Sequence, residues 1–484
     1  MSRINSNVPS LVAQRHLQQS QQALRLSLER LSSGLKINRG ADNPAGLIVS
    51  ERLRSEVSVV KQAVDNSARA INVIATTEGA LDEVQALLTD IQALLVEAAN
   101  RGAFSDEEVE ANQLQIDNAI ESITRIANTT TFAGRKLLNG ELDYVTSGVV
   151  AAELSDVNVL AASFGSQPYV GVTVEVLQSA QKAELAFAGA QLGGSAVTLD
   201  IRGNEGIITL TFPASASTVD MVNIINANVD ATGVIAVLSG ASGSTGMRLQ
   251  SLEYGSDAFV SVRELGSTTG NFVVTDRTGA TNTRAEGRDA QATVNGITAA
   301  AKGLELSFSS RFLKVQMTLD ETFGNGTNGL GTSEFAVTEG GALFQLGPQV
   351  NTNLQENIGV KAMHANKLGD AVVGFLSELQ SGQSNELRSG NFQEASKIVQ
   401  EVITQVAVLR GRLGAFERNT LQPNIRQLQI TTENLTAAES VIRDTDFAAE
   451  TSELTRSQIL VQAGNSILAI ANAQSQNVLT LLGG

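Results

Sequence analysis

The chain has 484 residues, 42% hydrophobic but only 4% aromatic, with no Trp, no Cys and a net charge of −16. That length and apolar content support two to four domains with real cores and exclude a disordered protein, while the acidity and the absence of a basic stripe argue against nucleic acid as a partner. Without Cys there are no disulfides, thiolate metal sites or Cys nucleophile. Residues 1–22 lack the apolar core of a secretory signal, and no run of 18 apolar residues predicts a membrane span.

From the N-terminal end, Leu17, Gln21, Leu24, Leu28, Leu31 and Leu35 alternate spacings of four and three, which predicts a helical seam. Ser32-Ser33-Gly34 offers a stop, since Gly tolerates the left-handed residue that closes a helix. Asp42-Asn43-Pro44 reads as the next start. The helix that follows carries Leu53, Val57, Val60, Val64, Ile71 and Ile74, drifts near Thr77, then resumes with Leu81, Val84, Leu88, Ile91, Leu95 and Ala98 as far as Asn100-Arg101-Gly102. Ser105 with Glu108 is a capping-box spacing that opens a third helix bearing Val109, Ile116, Ile120, Ile123 and Ala127. Residues 144–150 read as strand.

Between about residues 175 and 345 the character changes to short β-rich runs separated by Gly-rich turns: residues 196–201, 206–212, 259–262 and 313–319, with one helix near 217–227. Helical patterning returns with Ala395, Val399, Val402, Val406, Leu409, Leu413, Phe416 and Thr420, then meets Pro423, where a kink or break is expected. Beyond Arg456 no side chain is ionisable, yet residues 457–484 carry Ile459, Leu460, Val461, Ile467, Leu468, Ile470 and four more Leu or Val. Such a segment needs partner helices, so the two ends are expected to pair with a β insertion projecting between them. The fold class is mainly α with an inserted β domain.

No motif here carries chemistry. His16 and His364 stand apart in helical polar sequence, without the grouping that zinc requires. Residues 324–329 match Gly-x-Gly-x-x-Gly by letter, but the helix that should receive a pyrophosphate is replaced by strand-like sequence at 332–338. Asp444, Asp446, Glu450 and Glu453 lack the Gly turn and terminal Glu of a calcium loop and read as the acidic first turn of a helix. The Ser- and Thr-rich turns at 242–245 and 267–269 are compatible with O-linked sugars and with ordinary loops. Residues 175–345 contain no His, no Cys and no nucleophile elbow, so catalysis is not expected.

Two signatures sit at the two ends. Leu31-Ser32-Ser33-Gly34-Leu35-Lys36-Ile37-Asn38 with Ala41-Asp42-Asn43-Pro44-Ala45-Gly46-Leu47 resembles the N-terminal signature of bacterial flagellin. Ala437-Ala438-Glu439-Ser440, Ile442-Arg443-Asp444-Thr445-Asp446-Phe447-Ala448 and Gln458-Ile459-Leu460-Val461-Gln462-Ala463-Gly464 resemble its C-terminal signature. The resemblance implies a subunit of an extracellular flagellar filament that leaves the cell unfolded through the flagellar type III export apparatus. It implies inner helices at 1–43 and 447–484, an outer helical region with a β-hairpin at 44–174 and 346–446, and a variable, solvent-facing β domain at 175–345.

On that resemblance, polymerisation falls to Leu17, Leu24, Leu28, Leu31, Leu35, Leu460, Ala463, Ile467, Ile470 and Leu481 of the terminal helices. The implied partners are other copies of the chain, the export apparatus and a flagellin chaperone, and hook-associated and capping proteins, with no cofactor, no nucleic acid and no membrane insertion. Many flagellins carry an Arg in the long outer helix that engages the Toll-like receptor that senses them. Aligned on Ala99-Asn100 and Phe132, that Arg falls at Asp90 and its companion Glu and Arg fall at Gln115 and Ala119, with only Leu94 matching, which implies weak recognition. The alternatives are a hook-filament junction protein or, from another class, an enzyme or adhesin displayed by the insertion.

Overall fold

The computed structural model describes residues 7–100, 102, 105–165, 167–239, 246–266, 272–325, 330–370 and 373–482, with side chains described as far as residue 474. Arg101, the turns at 242–245 and 267–269, residues 326–329 and the side chain of Leu481 lie outside the described set. The longer helices are α1 (Val8–Ser33), α2 (Pro44–Ala98), α3 (Asp106–Thr129), α4 (Thr218–Asn226), α5 (Phe392–Phe416), α6 (Gln422–Arg443) and α7 (Phe447–Leu482). The chain divides into two compact units: Met1–Ile71 with Gln345–Leu354 and Glu417–Gly484, and Asn72–Phe344 with Gln355–Phe416.

In the first unit, the Asn7 side chain caps α1 by accepting from the Ser10 N–H at 3.1 Å, and Gly34 closes it at φ 74°. The connector is held by Asp42, which accepts from the N–H groups of Asn38 (3.0 Å) and Arg39 (2.8 Å). Asn43 then caps α2 by accepting from the Gly46 N–H at 2.9 Å. Helix α6 lays Leu428 against Val60 and Ala63 of α2, and Asn424 donates to the Ser67 hydroxyl at 3.1 Å. The break expected at Pro423 comes one turn earlier, as a π-helical turn at Glu417–Leu421. Pro423 follows directly on this turn, whose backbone is already helical at Leu421 (φ −71°, ψ −49°), so the change of register comes where the chain has no N–H to give.

In the second unit, α2 buries Ile74, Thr77, Leu81, Val84, Leu88, Ile91, Leu95 and Ala98, so the seam runs straight through Thr77 instead of drifting there. Thr77 can be buried because its hydroxyl donates to the Val73 carbonyl one turn back, at 2.8 Å. Arg410 of α5 pairs with Asp82 of α2 at 2.9 Å. Helix α3 opens with the expected capping box, Glu108 N–H to the Ser105 hydroxyl and Ser105 N–H to the Glu108 carboxylate.

The same unit carries two β bodies. The proximal one joins a five-stranded sheet (Ile297–Thr298, Gln291–Val294, Val170–Gln178, Thr332–Gly340, Tyr144–Ser147 in spatial order) to a four-stranded one (Ala300–Lys302, Glu305–Ser309, Leu313–Leu319, Leu154–Ala162). Val172, Val174, Val315, Met317, Phe335 and Val337 fill its core. The division read from sequence at 174/175 cuts through Val170–Gln178. The β core already takes in Tyr144, on the strand expected at 144–150, and Leu154, Val159 and Ala162 of the strand Leu154–Ala162, which was not read from the sequence because its apolar residues stand among polar neighbours. The distal body packs the sheet of Val274–Asp276, Lys182–Phe187, Met247–Tyr254 and Val234–Leu238 with that of Arg284–Glu286, Phe259–Leu265, Val197–Arg202 and Ile207–Phe212, and adds α4, capped by Ser217. Phe212, Leu199, Ile201, Leu249 and Val260 are central in its core.

The two bodies meet at a glycine-lined crossing. A Cβ on Gly287 would stand 2.4 Å from the Gly255 carbonyl oxygen and 2.5 Å from that of Gln181, so only Gly lets these backbones touch. Asp289 ties the crossing by accepting from the Ser256 hydroxyl (2.6 Å), the Ser256 N–H (3.0 Å) and the Gly303 N–H (2.7 Å). Burial pushes the Asp289 carboxyl up, but these hydrogen bonds outweigh it and hold it below its usual range. A depressed folded value stabilises the fold above the unfolded carboxylate value, about 3.9, and that contribution is lost as pH falls through the folded one. Thermal melts of the β bodies from about pH 6 to about pH 2 should fall in that acid range, and Asp289→Asn should flatten this part of the profile.

Candidate assembly surface

Helices α1 and α7 form an antiparallel hairpin, pinned at both ends. At the far end Asn7 donates its side-chain amide to the Ala471 carbonyl at 3.0 Å, and the Ser10 hydroxyl meets Asn472 at 2.9 Å. Near the connectors Arg30 faces Glu450 at 3.6 Å. There Leu35 and Asp444 form an antiparallel bridge, flanked by Lys36 N–H to the Arg443 carbonyl (2.7 Å) and Thr445 N–H to the Gly34 carbonyl (2.9 Å).

Between 447 and 474 the only covered residues are Glu450, Leu454, Ser457, Val461, Gly464, Leu468 and Ala471, a strict heptad in which small and large side chains alternate. The facing seam of α1 is Ser10, Ala13, Leu17, Ser20, Leu24, Ser27 and Leu31. Leu17, Leu24 and Leu31 thus lie in the seam, whereas Leu28 is 49% exposed and turned away from it. Leu35 leaves the helix to make the backbone bridge. The second seam position belongs to Ala13, Ser20 and Ser27 because the two backbones approach closely. A Cβ on Gly464 would meet Leu17 Cδ1 at 3.2 Å, leaving no room for another Leu.

A hairpin built this way buries little by itself. Its buried residues among the described ones are Ser10, Ala13 and Ser27 on α1 and Ser457 and Ala471 on α7, none larger than Ser, while each Leu of the seam is only half covered. Its apolar surface points outward instead. Leu460 (47% exposed), Ile467 (56%) and Ile470 (66%) form, with Ala463 and Ile459, one continuous stripe on the flank of α7. Leu460, Ala463 and Ile467 face Val8, Val12 and His16 of α1 across an apolar groove of about 820 Å³. No charged side chain interrupts the stripe, since Arg456 is the last ionisable residue. A continuous apolar stripe of this kind on a polar protein marks a contact surface.

The expected receptor positions are not all presented. Asp90 and Gln115 are exposed on α2 and α3, Leu94 is half-buried, and Ala119 is buried. The seam's small polar residues were not found from the sequence, because a hydrophobicity pattern gives no weight to Ser and Gly. The heptad spacing of Ser457 and Gly464 in an uncharged segment was the available signal.

The model of the bacterial flagellin N-terminal helical region matches residues 4–143, and that of the C-terminal helical region matches residues 396–482. Flagellin of Salmonella rubislaw is 29% identical over 508 residues, covering 99% of each chain. Flagellin A of Helicobacter pylori is 26% identical over 519 residues, again covering 99% of each. Among solved structures, the D1-D2-D3 domains of the flagellar cap protein FliD from Escherichia coli align at a TM-score of 0.28 and 16% identity, covering 54% of this chain and 63% of that one.

Proposed function

Because the chain belongs to the bacterial flagellin family and is a structural subunit of the flagellar filament, we propose that its terminal hairpin is the element that polymerises. The observation that carries this is the uncharged apolar stripe of Leu460, Ala463, Ile467 and Ile470, which nothing in the chain covers among the described residues. Side chains of this size are each worth about 1.5–3 kcal/mol when moved from water to a full apolar contact, and a helical polymer repeats that gain in every subunit. Val8, Val12 and Leu11 of α1 extend the same apolar surface. In this role the chain holds no cofactor and catalyses nothing.

Export in an unfolded state, through a type III apparatus and with a dedicated chaperone, fits a chain without Cys whose ends cannot complete their packing alone. Hook-associated and capping proteins are then the partners at the filament's two ends, and the assembled product lies outside the cell. Relatives named flagellin span the chain end to end, which favours the bulk filament over a junction subunit. Purified chain added to short filament seeds should elongate them along their whole new length in electron micrographs. Chain that stays soluble, or adds only a terminal ring, would refute the bulk-filament role.

The receptor that senses flagellin is proposed to respond weakly. Asp90 puts a carboxylate where the family's contact uses a guanidinium, and losing an interface anchor costs about 2 kcal/mol or more. In a reporter-cell assay, half-maximal response should need roughly thirtyfold more soluble chain than a flagellin carrying that Arg. Equal potency would reject the assignment.

A further inference from the structure

We propose that the Arg30–Glu450 pair is a register lock for the α1–α7 hairpin, an inference that rests on the hairpin being the polymerising element. The apolar seam cannot set its own register. In the observed pairing Leu17 faces Gly464, and the same antiparallel step places Leu24 opposite Ser457 and Ser20 opposite Val461. Sliding α7 by one heptad, with Ala471 replacing Gly464, would set Leu17 against Ala471, Leu24 against Gly464 and Leu31 against Ser457, while Ser20 and Ser27 would meet Leu468 and Val461. Each seam Leu of α1 then faces a small residue, because the small positions of α7 recur every seven residues, the length of the slip itself.

Glu450 breaks this degeneracy. It is the only charged residue in the seam positions of α7, its side chain is 12% exposed, and its partner Arg30 is 24% exposed. A slip in one direction carries Glu450 past Arg30, and a slip in the other drives the carboxylate against Leu24. The pair is poorly satisfied as a stabilising contact, since Glu450 Oε1 and Arg30 Nε are both buried without a hydrogen bond. A partly buried ion pair that adds little stability but removes alternative registers matches the best-attested use of such pairs. The backbone bridge of Leu35 with Asp444, about a turn away, reinforces the same alignment. Chain ends that pair transiently in the soluble subunit and complete their packing only at assembly need such a device to choose among heptad-spaced alternatives.

The absence of Cys permits a direct test. Ser20→Cys with Val461→Cys reports the observed register, and Ser20→Cys with Leu468→Cys reports the slipped one, each in the whole chain as soluble subunit and as filament. The parent should crosslink in the observed register, and Glu450→Gln or Arg30→Gln should lower the observed-to-slipped ratio by roughly tenfold. The exchanged pair, Arg30→Glu with Glu450→Arg, should restore it. An unchanged ratio in Glu450→Gln overturns the lock. If Glu450→Gln gives neither crosslink, recovery by the exchanged pair supports the lock and failure to recover overturns it. Filament formation by the parent is scored separately by electron microscopy, so its absence counts against the polymer role, and the crosslinks in soluble subunit still decide the lock.

Discussion

Cells that make only a chain lacking residues 457–484 should be non-motile, carry no filaments and shed folded subunit into the medium. The deletion removes Ser457, Val461, Gly464, Leu468 and Ala471, five of the seven seam positions of α7, and with them the partners of Ala13, Leu17, Ser20 and Leu24 on α1. It also removes the outward stripe of Leu460, Ile467 and Ile470, each worth about 1.5–3 kcal/mol if buried in the polymer. That loss recurs in every subunit of the polymer. The β bodies have cores of their own, so their melting transition should survive the cut. Normal filaments on such cells would show that the tail is not an assembly element.

The complementary result is expected from Phe212→Ala, which should destabilise the distal β body by about 3–5 kcal/mol while leaving polymerisation intact. Phe212 is wholly buried at the end of Ile207–Phe212, in the core formed by Leu199, Ile201, Leu249 and Val260. Truncation there opens a cavity that the surrounding strands, hydrogen-bonded on both sides in Val197–Arg202 and partly covered by α4, can close only in part. For a body of roughly one hundred residues this corresponds to a fall of 10 °C or more in its melting midpoint, read by differential scanning calorimetry of the soluble chain. Seeded elongation should proceed at the parent's rate, because no residue of this core belongs to the terminal hairpin. A variant that melts normally would mean the core is not packed as described.

The elements that carry large apolar residues or cap chemistry were legible in the sequence. Gly34, Asn43-Pro44, Ser105 with Glu108, and the strands at 207–212 and 313–319 all stand within a residue or so of their expected places, since each is fixed by local sterics or by strict alternation. The register of the helical seams was legible only in part. Leu17, Leu24 and Leu31 were found, but Leu28 was chosen over Ser27, and Val64 and Ile71 over Ala63, Ser67 and Ala70, which are the buried positions on α2. The cause is the same in both helices. Where backbones pack closely, Ser, Ala and Gly occupy the contact and larger residues are displaced to the flanks, so a search for apolar size finds the neighbour of the seam. Small hydroxyls are admissible there because they return their proton to a carbonyl one turn back, as Ser67 does to Ala63 at 2.9 Å.

For the outward stripe this displacement is informative. Leu460, Ala463, Ile467 and Ile470 were expected to serve polymerisation, and the fold leaves them facing away from α1's seam in a hairpin too thin to bury them. The claim that follows is thermodynamic: α1 and α7 gain most of their order from neighbouring subunits, because a helix pair stabilised mainly by Ser, Ala and half-covered Leu cannot offset its own conformational entropy.

Hydrogen exchange read by mass spectrometry, on soluble subunit and on filament, tests that claim most directly. Peptides from 8–33 and 447–474 should exchange rapidly in the subunit and become strongly protected in the filament, while peptides from Val197–Arg202 and Phe259–Leu265 should be protected alike in both. Equal, strong protection of the two terminal helices in the soluble subunit would contradict the account.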